Sequence, residues 1–143
     1  MTGDIWVEGY AALFGTPDLE GDVVRAGAFR ASLARRASVP MLVQHEPRLL
    51  AGVWSALEED ARGLFVRGRI DTGLPGAARA RAALRDGVDG LSIGFVAVVA
   101  ERTGAGRALI EIELLEVSIV AQPMQPQARL TWREAPAPFA RAA

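Results

Sequence analysis

The chain has 143 residues, half of them apolar, and a formal net charge of −1, which suits one domain with a sizeable core and is too short for two ordinary ones. Its basic residues are all arginine and lie scattered along the chain, without the dense cationic block that marks a nucleic-acid footprint. With no cysteine, no lysine and one histidine, the chain lacks the means for thiolate nucleophiles, Cys-based zinc sites, Ser-Lys dyads, Schiff bases and multi-His metal centres, so neither metal nor cofactor is expected.

Residues 5–14 mix β-branched and aromatic residues with polar ones at alternate positions, and Gly15-Thr16-Pro17-Asp18 breaks the run, which predicts a strand and a turn. Asp22 to Arg25 reads as a short extended piece. Gly27 to Arg36 places Phe29 and Leu33 four apart among arginines, the spacing of a short amphipathic helix with those two residues inward. Val39 to Gln44 is an apolar strand with its proline near the start, and it delivers His45 at its end. Leu49 to Leu57 and Leu64 to Ile70 form two strands around the hairpin loop Asp60-Ala61-Arg62-Gly63. Pro75 to Asp86 is rich in alanine and arginine, with Pro75 suited to a first turn and Gly87 to the cap beyond the end, so a second helix is predicted. Leu91 to Ala100 and Arg107 to Ala121 are strands joined by Thr103-Gly104-Ala105-Gly106. Residues 1–134 make the domain, and the Ala/Pro-rich tail 135–143 is expected to fray. Six or seven strands against two helices, paired mostly through short turns, predict an α+β fold with a largely antiparallel sheet closed into a barrel. The longest nearly apolar run, Leu91 to Ala100, is about half of a membrane span, and no apolar leader precedes the domain, so a cytoplasmic chain without a membrane partner is expected.

His45, Ser92 in Gly90-Leu91-Ser92-Ile93-Gly94-Phe95, and Glu116 in Glu113-Leu114-Leu115-Glu116-Val117-Ser118 supply a base, a nucleophile and an orienting acid for acyl transfer. Gly90-x-Ser92-x-Gly94 also matches the nucleophile elbow of α/β-hydrolases, but their triad needs a histidine after the serine, and none follows here. Each residue has a plainer reading. His45 could be a structural residue at a strand end, and Gly90 and Gly94 could serve turn and packing needs around an ordinary Ser92. Glu116 stands among apolar residues and needs a partner there, either an arginine or His45. Glu111, Glu113 and Glu46 are rival acceptors for the imidazole. Backbone N–H groups near Ser92, or an arginine such as Arg129, could serve an oxyanion.

Gly9-Tyr10-Ala11-Ala12-Leu13-Phe14, Asp18-Leu19-Glu20-Gly21-Asp22-Val23-Val24 and Gly27-Ala28-Phe29 resemble the N-terminal signature of the tailed-bacteriophage prohead (capsid maturation) proteases. Pro40-Met41-Leu42-Val43-Gln44-His45, the Ser92 block and Leu115-Glu116-Val117-Ser118-Ile119-Val120 followed by Pro123 match in the same order, so the resemblance runs through about residues 5–130. It implies a fold like that of the herpesvirus assemblin, a β-barrel flanked by helices. It also implies a serine endopeptidase with catalytic His45 as base, Ser92 as nucleophile and Glu116 in the place that herpesvirus enzymes give to a second histidine. The expected substrates are the scaffolding protein or the scaffold-like segment of the major capsid protein, with self-cleavage in addition, inside the immature capsid in the cytoplasm of the bacterial host.

Where the family pattern has a Thr-Phe-Pro-Ala-Asn-Pro type stretch, this chain has Ala121-Gln122-Pro123-Met124-Gln125-Pro126. The short chain fits a compact or trimmed phage enzyme and, equally, a minimal relative in a gene transfer agent. Self-association is left open, because the helix at Pro75 to Asp86 offers a thin apolar face. Two rivals stand beside this reading: a catalytically silent assembly or scaffolding module with the same fold, and a serine esterase or amidase, which would need a deep apolar pocket at Ser92 rather than an open groove.

Overall fold

In the computed structural model, residues 4–135 are described. They form β1 (Asp4–Leu13), β2 (Val23–Val24), α1 (Arg30–Arg35), β3 (Val39–Val43), β4 (Glu46–Glu59), β5 (Gly63–Ile70), α2 (Ala77–Arg85), β6 (Gly90–Arg102), β7 (Arg107–Val120) and β8 (Leu130–Ala135). The strands make one sheet in the order β2-β7-β3-β4-β5-β1-β8, with β6 on the other edge of β7. Antiparallel pairing dominates, and β7 carries the parallel exceptions, to β2 and β3.

The segment from β2 to β3 runs along a single edge of β7. β2 pairs with Ala108 and Leu109, and β3 pairs with Val117, Ser118 and Ile119. Between them the amide of Ile112 donates to the Ala28 carbonyl at 2.9 Å, and the amide of Leu114 donates to Ser32 Oγ at 3.0 Å. A buried strand amide must find an acceptor, and here the turn before α1 and α1 itself supply what a neighbouring strand would have supplied. This is why the fully buried residue of α1 is Ser32, whereas the expected inward residue Leu33 is only half-buried against the core. Phe29 is buried as its spacing predicts, but it precedes the helix, which is shorter than residues 27–36.

The second helix begins at Ala77, two residues after Pro75, turns Ala77, Ala80 and Leu84 inward, and is followed by Gly87 at φ 92°, the left-handed cap that glycine accepts without Cβ strain. β8 was not expected: Leu130 and Trp132 give its sequence too brief an alternation. It pairs with β1 from Asp4↔Ala135 to Gly9↔Leu130, which makes eight strands rather than six or seven. The barrel also needs correction, because the ladder does not close. The gap between β6 and β8 is spanned by a lone bridge, Gly90↔Arg129, and that between β1 and β2 by Phe14↔Val24. Apart from Ala135, which ends β8, the expected tail 135–143 lies outside the described residues.

The core lies inside this curled sheet and beneath the helices, with Trp54, Phe29, Met41, Leu64, Ile70 and Leu91 among its largest fully buried side chains. Trp54 does more than fill space. Its indole N–H, carried on β4, donates to the Val117 carbonyl of β7 at 3.0 Å, tying the strand that carries Glu116 to the core. Trp54→Ala should destabilise the fold by about 3–5 kcal/mol through cavity formation. Trp54→Phe should cost about 0.5–1.5 kcal/mol, chiefly for the lost indole hydrogen bond. Urea unfolding of the two variants checks both values.

Candidate active site

β3 ends at Val43, one residue short of the expected Gln44, so His45 stands two residues beyond the strand. Gln44 and His45 form the two-residue turn between β3 and β4 with φ of 54° and 58°, the sign that a type I′ hairpin requires at both central positions. Neither is a glycine, so the turn is strained by itself. It is held from β7 and the residues after it. The Gln44 amide donates to the Ile119 carbonyl at 2.9 Å, Gln44 Oε1 accepts from the Ala121 amide at 2.6 Å, and the His45 amide donates to Ser118 Oγ at 3.0 Å.

The β3–β7 and β6–β7 registers then bring the expected residues together. Leu42 and Ser92 both pair with Ser118, and Gly94 pairs with Glu116. His45 Nδ1 lies 2.6 Å from Glu116 Oε2, and the Ser118 hydroxyl donates to Glu116 Oε1 at 2.7 Å. An ionised carboxylate only accepts, so the proton between imidazole and carboxylate belongs to Nδ1 and leaves Nε2 as the ring's free acceptor. The bond to Glu116 raises the His45 pKa above the usual histidine value against the opposing pull of burial, with the carboxylate's charge adding to the rise.

Ser92 is buried at 8% exposure, while the His45 side chain is 41% exposed, so the imidazole is open to solvent and the serine is sheltered. The two border one cleft of about 170 Å³. No hydrogen bond joins them among the described residues, and such contacts commonly tighten only with substrate bound. Apolar Leu91, Ile93 and Phe95 border the cleft on one side, and Asp18, Glu20 and the Asp22–Arg107 pair add charge. Asp22 is buried, and the guanidinium of Arg107 holds its carboxyl below the ordinary carboxylate range.

Two of the three rival acceptors are paired elsewhere. Glu113 binds Arg35 and Arg36, and Glu46 turns to Arg48. Glu111 pairs with Val99 across the β6–β7 ladder. Arg129, weighed for an oxyanion, is bound to Asp89 at 2.7 Å and to the Pro126 carbonyl at 2.8 Å, and it does not border the cleft. Sequence reasoning missed Ser118, a fully buried serine with both its polar capacities used at the site. It also read Gly94 as part of a serine motif or as a turn or packing residue, whereas a Cβ there would fall on the Glu116 side chain, 2.7 Å from its Cδ. Among the described residues no group of three or more His, Cys, Asp or Glu could hold a metal ion, and no helix is long and apolar enough to cross a membrane.

A family profile described as caudovirus prohead serine protease matches residues 1–137. The prohead protease of Enterobacteria phage HK97 is 39% identical over 127 residues, an overlap that takes in 85% of this chain and 56% of that protein. The chain therefore spans little more than half the length of that relative. Among solved structures, the bacteriophage T4 capsid assembly protease superposes with a TM-score of 0.65 at 14% identity over 84% of this chain and 89% of that one. The protease of KSHV, the Kaposi's sarcoma-associated herpesvirus, solved with a hexapeptide phosphonate inhibitor, gives 0.60 at 15% identity over 92% and 66%. Varicella-zoster virus protease gives 0.60 at 16% over 90% and 64%. At those identities the structures show a shared fold, the herpesvirus-protease-like α+β architecture expected from the sequence. By the family match across nearly its whole length and the identity to the HK97 protein, the chain belongs to the caudovirus prohead serine protease family.

Proposed function

We propose that this chain is a serine endopeptidase of capsid maturation. It cleaves the scaffolding protein or the scaffold-like segment of the major capsid protein, and itself, inside the immature capsid within the bacterial host. The observation that carries this reading is the His45–Glu116 pair at 2.6 Å, whose histidine borders a cleft that Ser92 also borders, in a chain of this family.

Ser92 Oγ attacks the scissile carbonyl carbon while His45 Nε2 takes the hydroxyl proton. The tetrahedral intermediate collapses as His45 returns that proton to the leaving amine, and water, activated by the same nitrogen, then releases the acyl group. Glu116 holds Nδ1–H, which fixes the ring and its tautomer and stabilises the imidazolium that forms at each proton transfer.

Co-expression with the neighbouring capsid or scaffold protein, followed by intact mass spectrometry, tests the assignment. Discrete truncation of the partner should be lost in Ser92→Ala, and full cleavage by that variant overturns the reading. In single-turnover assays Ser92→Ala and His45→Ala should each lower the rate by about 10⁶-fold, and Glu116→Gln by about 10⁴-fold, with circular dichroism unchanged in all three. The base works only as neutral imidazole, and its pKa is raised. The rate should therefore climb with pH and reach half its maximum above about pH 6.5. In Glu116→Gln the midpoint of the residual rate should fall, because the group that raises the pKa is gone.

A further inference from the structure

The Glu116 side chain has three rotatable torsions and is 14% exposed, yet it must present one oxygen to Nδ1. His45 Nδ1 engages only Oε2, so that contact alone leaves the carboxylate free to swing about its long axis. Two features restrict it. Ser118 is fully buried, and its hydroxyl accepts from the His45 backbone N–H at 3.0 Å while donating to Oε1 at 2.7 Å. On the facing strand, Gly94 leaves empty the volume that the carboxylate fills, and the nearest atoms to a Cβ at that position all belong to Glu116.

We infer that Ser118 is a positioning residue: its hydroxyl locks the Glu116 carboxylate to the backbone of the same turn whose imidazole that carboxylate orients, in a seat that Gly94 leaves open. This rests on the reading of His45 and Glu116 as base and orienter. One hydroxyl thus fixes both ends of the imidazole–carboxylate contact. The strained turn is anchored through its amide, and the acid through Oε1.

A structural role is the competing account, in which Ser118 merely satisfies a buried amide. The two differ in what the imidazole senses. Because His45 is the only histidine in the chain, its ring gives one resolved NMR titration without substrate, and this is the first readout. In Ser118→Ala the carboxylate loses its second anchor, and the His45 midpoint should fall toward the ordinary histidine value. The cleavage kcat should drop about 10- to 100-fold, the usual loss when a partner that orients a ligand is removed, with KM within about twofold because Ser118 is buried away from substrate. Ser118→Thr keeps the hydroxyl and should restore both readouts relative to Ser118→Val, which differs from it only in lacking one. Gly94→Ala displaces the same carboxylate from the opposite strand. The three atoms nearest its methyl all belong to the flexible Glu116 side chain, so that variant should fold and show the same fall in midpoint.

Asp18, Glu20 and the Asp22–Arg107 pair border the cleft with His45, and Glu46 follows it in the chain. None of them bonds Ser118 among the described residues, so their influence on the ring is common to all variants. A Ser118→Ala protein with lowered thermal stability but an unchanged His45 midpoint and kcat overturns the inference, as does a Ser118→Val protein indistinguishable from Ser118→Thr. A wild-type protein that cuts no partner would defeat the protease reading instead, while the titration would still report on the seat.

Discussion

Register along β7 is the constraint on which the other features depend. One edge of this strand pairs with β2 and β3 in parallel, and the opposite edge pairs with β6 in antiparallel fashion over nearly its whole length. Because side chains alternate faces along a strand, a slip by one residue would turn every one of them to the wrong side. Ser118 would then lose the His45 turn and Glu116 would lose the imidazole. Trp54 and Ser32 guard that register from other elements, by bonds to the Val117 carbonyl and the Leu114 amide respectively. Packing and polar satisfaction therefore specify the same alignment.

The site is built from the ends and middles of three strands rather than from one loop. β3 and its turn bring the imidazole, β6 the buried hydroxyl, and β7 the carboxylate with its serine neighbour. Rigid paired strands hold such groups more closely than a loop would, since each side chain inherits its place from a hydrogen-bonded ladder. The one irregular piece, the Gln44-His45 turn, is also the piece with the most bonds reaching it from β7 and its continuation at Ala121. Strain is tolerated where the surroundings over-determine the conformation.

Much of this was legible beforehand. Alternation in β1 and β7, the Asp60–Gly63 hairpin and the Gly87 cap are local signals, and local signals survive in sequence. His45, Ser92 and Glu116 stood out for their chemistry: the one histidine of the chain, a serine between glycines, and an acid in an apolar run. Ser118 and Gly94 did not stand out, for a shared reason. A serine in a strand is ordinary until the amide 73 positions away that it receives is known, and a glycine's empty space has no meaning until the opposite carboxylate is placed in it. β8 and the open seams of the barrel escaped because both depend on which strands run out of partners, a property of the assembled sheet.

The turn that holds His45 bears on how the chain folds. Left-handed dihedrals at Gln44 and His45 have no glycine to make them cheap, and the bonds that sustain them come from residues 73 and 77 positions away. A short-range hairpin would form within microseconds if its own residues favoured it, but this one waits for contacts of high sequence separation, which close late and slowly. The imidazole therefore gains its geometry only when β3 docks on β7, and a nascent or partly folded chain holds His45, Ser92 and Glu116 without bringing them together.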